Sequence, residues 1–238
     1  MGRRHRSRVL DTRRAWFRKR RERRWPLAAV LLGLTAFGVG LWQRQQGWQL
    51  GEFALVPSEF ARGVSLGSGL SSVWQPPLIT PLSTLFLHAG WAHLIGNLIY
   101  WALFAPGVEK RLGAPLLAIL LLACGVLANL SSVWLDPTDQ APLVGMSGMV
   151  SASMGAYLGL FPRSKIGVVL PLGLYFQYLK IPALGLIGSW FAFQVLYTFF
   201  GDALGTVAWW THIAGFLGGL ILALPIHLLT DSRLRSAP

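Results

Sequence analysis

The sequence predicts an all-α polytopic membrane protein, a bundle of six transmembrane helices, and three observations carry that expectation. First, 53% of the 238 residues are hydrophobic and only 13% are charged, about half the charged fraction of soluble domains. Second, the apolar residues collect in six segments, at approximately 26–42, 91–106, 114–134, 145–161, 183–200 and 207–229. Third, the charges between those segments alternate in sign along the chain. If residues 1–25 are cytoplasmic, the loops on that side carry +1 at Glu109, Lys110 and Arg111, +3 at Arg163, Lys165 and Lys180, and +1 at Asp231, Arg233 and Arg235. The opposite loops carry 0, −2 and −1. This is the asymmetry of the positive-inside rule, and it puts both ends of the chain in the cytoplasm.

Taken in order, residues 1–25 form a basic tail with twelve Lys/Arg against Asp11 and Glu22, which accounts for nearly all of the +12 net charge. A polybasic stretch beside a membrane span is drawn to anionic lipid, and the rest of the chain is close to neutral, so nucleic acid is not an expected partner. The first apolar segment is followed by Gln43-Arg44-Gln45-Gln46 rather than a small-residue cleavage site, so it is expected to stay as a helix. Residues 26–230 are read as one membrane domain, and residues 231–238 as a short tail. Within that domain, residues 43–90 make a long outer loop rich in Gly, Ser and Pro. It is too apolar for a simple linker, so it is expected to pack on the bundle or lie at the interface. Residues 166–180 are apolar but carry Pro171, and they read as an interfacial or partly buried segment. Several segments approach the lower limit of the ~17–25 residues needed to cross a bilayer, which suits helices enclosed by protein.

Polar groups in such segments are costly unless they are satisfied, so they mark function by default. His93 and Asn97, Ser147 and His212 all fall within the first two turns of segments that start at the outer face, and at ~1.5 Å per residue they share one depth. His93 and Asn97 are four residues apart and share a helix face. Gly148, Ala152, Gly155 and Gly159 form a small-residue stripe in the fourth segment, and Gly215, Gly219 and Ala223 form another in the sixth. Stripes of this kind let helix backbones approach closely. Packing through them would bring the Ser147 hydroxyl to the ~2.6–3.2 Å of a His212 ring nitrogen that a nucleophile and its base require. The chemistry expected is peptide hydrolysis by a Ser147–His212 dyad. The developing oxyanion is expected to be held by Asn97, His93 and the Ser147 backbone N–H. No metal-binding spacing occurs, Cys124 is the sole cysteine, and no cofactor is expected.

The ordered set His88-Ala89-Gly90-Trp91-Ala92-His93-Leu94-Ile95-Gly96-Asn97, Gly107-Val108-Glu109-Lys110-Arg111-Leu112-Gly113, Gly145-Met146-Ser147-Gly148 and His212-Ile213-Ala214-Gly215-Phe216-Leu217-Gly218-Gly219 resembles the rhomboid intramembrane serine proteases. The resemblance spans roughly residues 50–225 and differs at Thr211, Gln75 and Ser151, where relatives often carry alanine, arginine and an aromatic residue. It implies Ser147 as nucleophile, His212 as general base, His93 and Asn97 as oxyanion-stabilising groups, and transmembrane proteins as substrates, cleaved near their outer ends without a cofactor. A non-catalytic rhomboid-like escort factor is the competing expectation, although relatives of that kind usually lack the serine or the histidine. The compact chain points to a bacterial inner membrane. Trp74, Trp91, Trp209 and Trp210 at the outer boundary suit an aromatic belt.

Overall fold

The computed structural model describes residues 25–49, 53–65, 76–172, 175–200 and 208–235. Residues 1–24 of the basic tail, Trp74 and Gln75 in the outer loop, the loop residue Asp202 and the last three residues of the C-terminal tail lie outside the described residues. The chain folds as α1 (Leu27–Gln45), α2 (Pro57–Ser65), α3 (Pro76–Ser83) running into a 3-10 turn at Thr84–Phe86, α4 (Trp91–Leu112), α5 (Ala114–Leu135) and α6 (Ser147–Leu160). A hairpin of β1 (Lys165–Leu172) and β2 (Tyr175–Pro182) follows, then α7 (Ala183–Phe200) and α8 (Trp209–Arg235). The six apolar segments coincide with α1, α4, α5, α6, α7 and α8. By length and composition, α1, α5 and residues 209–228 of α8 suffice to cross a membrane. The protein is an integral membrane protein with a polytopic helical core.

α6 is the axis of the bundle. Its 14 residues are almost all buried, the exceptions being Tyr157 and Leu158. At ~1.5 Å per residue it extends about 21 Å, short of the ~30 Å hydrocarbon layer. The shortfall is tolerable because its neighbours are protein: α8 packs along it most closely, with α4 and α5 on its other sides. The close approach follows from glycine. A Cβ placed on Gly215, Gly219 or Gly155 would run into the carbonyl oxygen of Gly148, Ala152 or Phe216 respectively, so the two predicted stripes face each other backbone to backbone. The main core gathers Leu94, Phe104, Val108, Leu117, Leu121, Met149, Val150 and Met154 around that contact.

One expectation needs correction. The loop expected around Glu109, Lys110 and Arg111 is helical through Leu112, and Gly113 just after it takes a positive φ, 91°. Its Glu109 has a different task. The first N–H groups of a helix lack internal partners, and Pro26 gives α1 no side-chain cap. Buried Glu109 supplies it from α4, accepting Ala28 N–H at 3.1 Å and Ala29 N–H at 2.7 Å. Trp101 Nε1 donates to Ala29 O at 2.8 Å beside it. Glu109→Ala is expected to lower stability by about 1–3 kcal/mol, the cost of orphaning buried donors. A detergent-phase unfolding midpoint measures this, and an unchanged midpoint would refute the cap.

Residues 166–180, read as an interfacial or partly buried segment, belong to an antiparallel hairpin paired from Lys165 with Pro182 to Leu172 with Tyr175. The reason is a period of two. In β1, Ile166 and Val168 turn to the core while Gly167 and Val169 are exposed; in β2, Tyr175, Phe176 and Tyr178 all stand exposed. β-Branched and aromatic residues in that alternation favour strand, and Pro171 disfavours helix. The described part of residues 43–90 packs on the bundle: Leu55 bridges to Leu143 and joins Val133 in a small buried cluster.

Candidate active site

The α6–α8 contact positions the first two groups. Gly145 takes φ 111°, Met146 caps the helix, and Ser147 is its first residue. His212 lies in the first turn of α8, one turn from Gly215, whose close contact is with Gly148. Ser147 Oγ and His212 Nε2 are therefore 2.8 Å apart, with both residues 7% exposed. The other ring nitrogen, Nδ1, lies 2.7 Å from Gln194 Oε1 on α7. A carboxamide oxygen only accepts, so Nδ1 carries the proton and Nε2 presents its lone pair to the serine hydroxyl. Trp190, one turn before Gln194, sets its ring edgewise to the imidazole at 6.0 Å and 71°. That edge supplies the aromatic neighbour that Ser151, buried one turn along α6 from Ser147, does not.

The second pair comes from α4. A Cβ on Gly145 would sit 2.7 Å from two atoms of the His93 ring and 3.4 Å from Asn97 Nδ2, so both side chains pack against the backbone leading into Ser147. Only glycine leaves that space, and its positive φ suits glycine as well. Ala89 N–H approaches His93 Nδ1 at 3.4 Å, which leaves Nε2 as the protonated, donating nitrogen. Asn97 is 1% exposed, and neither of its amide atoms has a hydrogen-bond partner among the described residues. A buried carboxamide left unpaired is expensive.

The loop around these groups is fixed by Thr84 and Gln43, which the sequence reading did not single out, and by His88, the first residue of the motif before α4. Thr84 is fully buried: its hydroxyl donates to Leu143 O, and its carbonyl accepts Gly145 N–H at 3.0 Å. Gln43 at the end of α1 pairs twice with the His88 backbone, accepting its N–H at 2.8 Å and donating to its carbonyl at 3.2 Å. His88, in the loop before α4, donates from Nδ1 to Phe86 O at 3.1 Å and meets the His93 ring edgewise at 5.2 Å. Burial, reinforced by neighbouring His93 and only partly offset by that carbonyl, lowers the His88 pKa to about 3. It is a neutral buttress at physiological pH. Among the described residues, no cluster of three His, Cys, Asp or Glu side chains is spaced to hold a metal ion.

A sequence signal for Gln194 existed, since it is the only carboxamide in the apolar stretch 183–200. Thr84 and Gln43 had none, because their partners lie 45 or more residues away.

The Rhomboid domain model matches residues 72–228. Over 163 residues the chain is 31% identical to the rhomboid-family protein YdcA of Bacillus subtilis (strain 168), covering 68% of this chain and 71% of that one. It is 33% identical over 141 residues to Rhomboid protease GlpG of Salmonella paratyphi A, covering 58% of this chain and 45% of GlpG. The GlpG of Serratia proteamaculans is 31% identical over 145 residues, covering 60% and 46%. The alignments thus span just under half the length of the GlpG proteins.

Proposed function

The chain belongs to the rhomboid family of serine proteases, and on that premise we propose that it hydrolyses peptide bonds in or next to transmembrane segments of other membrane proteins, with Ser147 as nucleophile and His212 as base. The observation that carries this reading is the 2.8 Å approach of Ser147 Oγ to His212 Nε2 inside a buried helix contact. His212 takes the hydroxyl proton as Oγ attacks the carbonyl carbon. The negative charge moves onto the carbonyl oxygen, the imidazolium then protonates the leaving amine, and water hydrolyses the acyl-enzyme by the same route in reverse.

Asn97 Nδ2, His93 Nε2–H and the Ser147 N–H are the donors for the oxyanion. Donors held in place before reaction cost no reorganisation in the transition state. Asn97→Ala and His93→Ala are each expected to lower kcat by ~10²–10³ with little change in KM. Steady-state cleavage of a transmembrane reporter measures this, and a loss confined to KM would assign the pair to substrate binding instead.

The reading extends to the setting of the enzyme. The six apolar helices form six spans with both chain ends in the cytoplasm, in a bacterial inner membrane, with the basic residues 1–25 beside anionic lipid. The dyad then opens toward the outer side, where water is available. The chemistry needs no cofactor. Substrate helices carrying Gly or Pro near that depth are favoured, since a bond in an intact helix is shielded and must be presented extended.

The test is covalent capture. A fluorophosphonate probe is expected to label the purified wild-type protein and not Ser147→Ala, with mass spectrometry placing the adduct on Ser147. Absence of labelling in a protein that retains its fold would favour a non-catalytic escort role.

A further inference from the structure

We propose that Gln194 is a positioning residue of this hydrolase, a neutral third member that fixes the His212 tautomer and ring orientation from α7. The inference rests on the Ser147–His212 reading and extends it. Four observations carry it. Gln194 is 7% exposed, and its Oε1 lies 2.7 Å from His212 Nδ1. Its helix neighbour Trp190, four residues earlier and on the same face, meets the same imidazole edgewise. α7 is itself anchored there, because Tyr100 of α4 pairs with Ser189 at 2.8 Å and packs edgewise on Trp190 at 4.7 Å. The imidazole is thus held on three sides, by a serine, a carboxamide and an indole.

The direction of the hydrogen bonds decides whether this arrangement is productive. With Oε1 accepting from Nδ1–H, the Nε2 lone pair faces the Ser147 proton and can take it. With the amide reversed, its N–H would donate into Nδ1, the ring proton would move to Nε2, and His212 could not accept from serine. A carboxylate would enforce the productive tautomer in a soluble protease, but an ionised acid is costly at this depth. A carboxamide gives the same directional acceptor without the charge.

Three variants and two measurements test the inference. Gln194→Leu, which keeps the volume and removes the acceptor, is expected to lower kcat at least ~10-fold with KM within about twofold. The ceiling is the ~10⁴-fold seen when a triad loses its orienting group. Gln194→Glu retains an oxygen acceptor and is expected to recover most of that loss. Gln194→Lys, which can only donate, is expected to fall as low as Leu. Nitrogen-15 NMR of histidine-labelled protein, with the signal assigned by its loss in His212→Ala, is expected to show the Nδ1–H form in the wild type and a tautomer mixture in Gln194→Leu. The inference is overturned if Gln194→Leu leaves kcat unchanged, if Glu fails to rescue, or if the wild type holds its proton on Nε2. The tautomer measurement does not depend on turnover. Failure of the dyad, seen as full cleavage by Ser147→Ala, is therefore distinguishable from failure of the Gln194 role.

Discussion

Ser147→Ala and His212→Ala are each expected to lower kcat on a transmembrane reporter by at least ~10⁴-fold, and the double variant by no more than the worse single one. The non-additivity is the informative part. A nucleophile and the base that deprotonates it act as one unit, so removing either removes the step and removing both adds nothing. Residual cleavage above the uncatalysed rate should persist in all three, since Asn97, His93 and the bound geometry remain. KM should stay near the wild-type value because neither side chain is assigned to substrate binding. Purified protein in detergent or liposomes with a fluorogenic transmembrane substrate gives the rates directly. Losses that sum in the double variant would mean that the two residues act in separate steps. Equal cleavage by wild type and both single variants would end the dyad assignment.

Different parts of this arrangement were legible in the sequence to different degrees, for physical reasons. The helix positions could be read because apolar runs in a chain with few charges have little alternative to helix in lipid. The Ser147–His212 approach could be read because small-residue stripes on two segments imply close backbones, and close backbones fix which polar groups meet. His93 and Asn97 could be placed on one face by spacing alone, while their seat against Gly145 depends on a positive φ that the sequence only permits. Glu109 was read as a loop charge, because its partners are the N–H groups of a helix 80 residues away. Residues 166–180 could be read as interfacial or partly buried but not as a hairpin, because over so short a run the period of two is obscured by Gly167, Pro171 and apolar residues on both faces. Gln194 shows the intermediate case: a lone carboxamide in an apolar helix announces a partner but does not name it.

Gly219→Val is expected to damage fold and activity together, and it tests the packing on which the site depends. A Cβ at Gly219 collides with the Ala152 carbonyl, and one at Gly155 collides with the Phe216 carbonyl. The obstacle in each case is backbone, which cannot rotate away as a side chain would. The helices must therefore separate, and overpacking of this kind costs about 1–3 kcal/mol or more. His212 lies two turns from Gly219 on α8, and its 2.8 Å contact with Ser147 has little slack before it ceases to be a hydrogen bond. A shift near 1 Å at a reacting pair can cost ~10²-fold in rate. Gly219→Val should thus lower both the unfolding midpoint and the rate of fluorophosphonate labelling, with Gly155→Val following the same pattern. Gly38→Ala on α1 is the control, since nothing lies within 4 Å of a Cβ there. A methyl in that helix interior is neutral or stabilising by up to about 1 kcal/mol. If Gly219→Val melts and labels like Gly38→Ala, the α6–α8 backbone contact is not what holds serine to histidine.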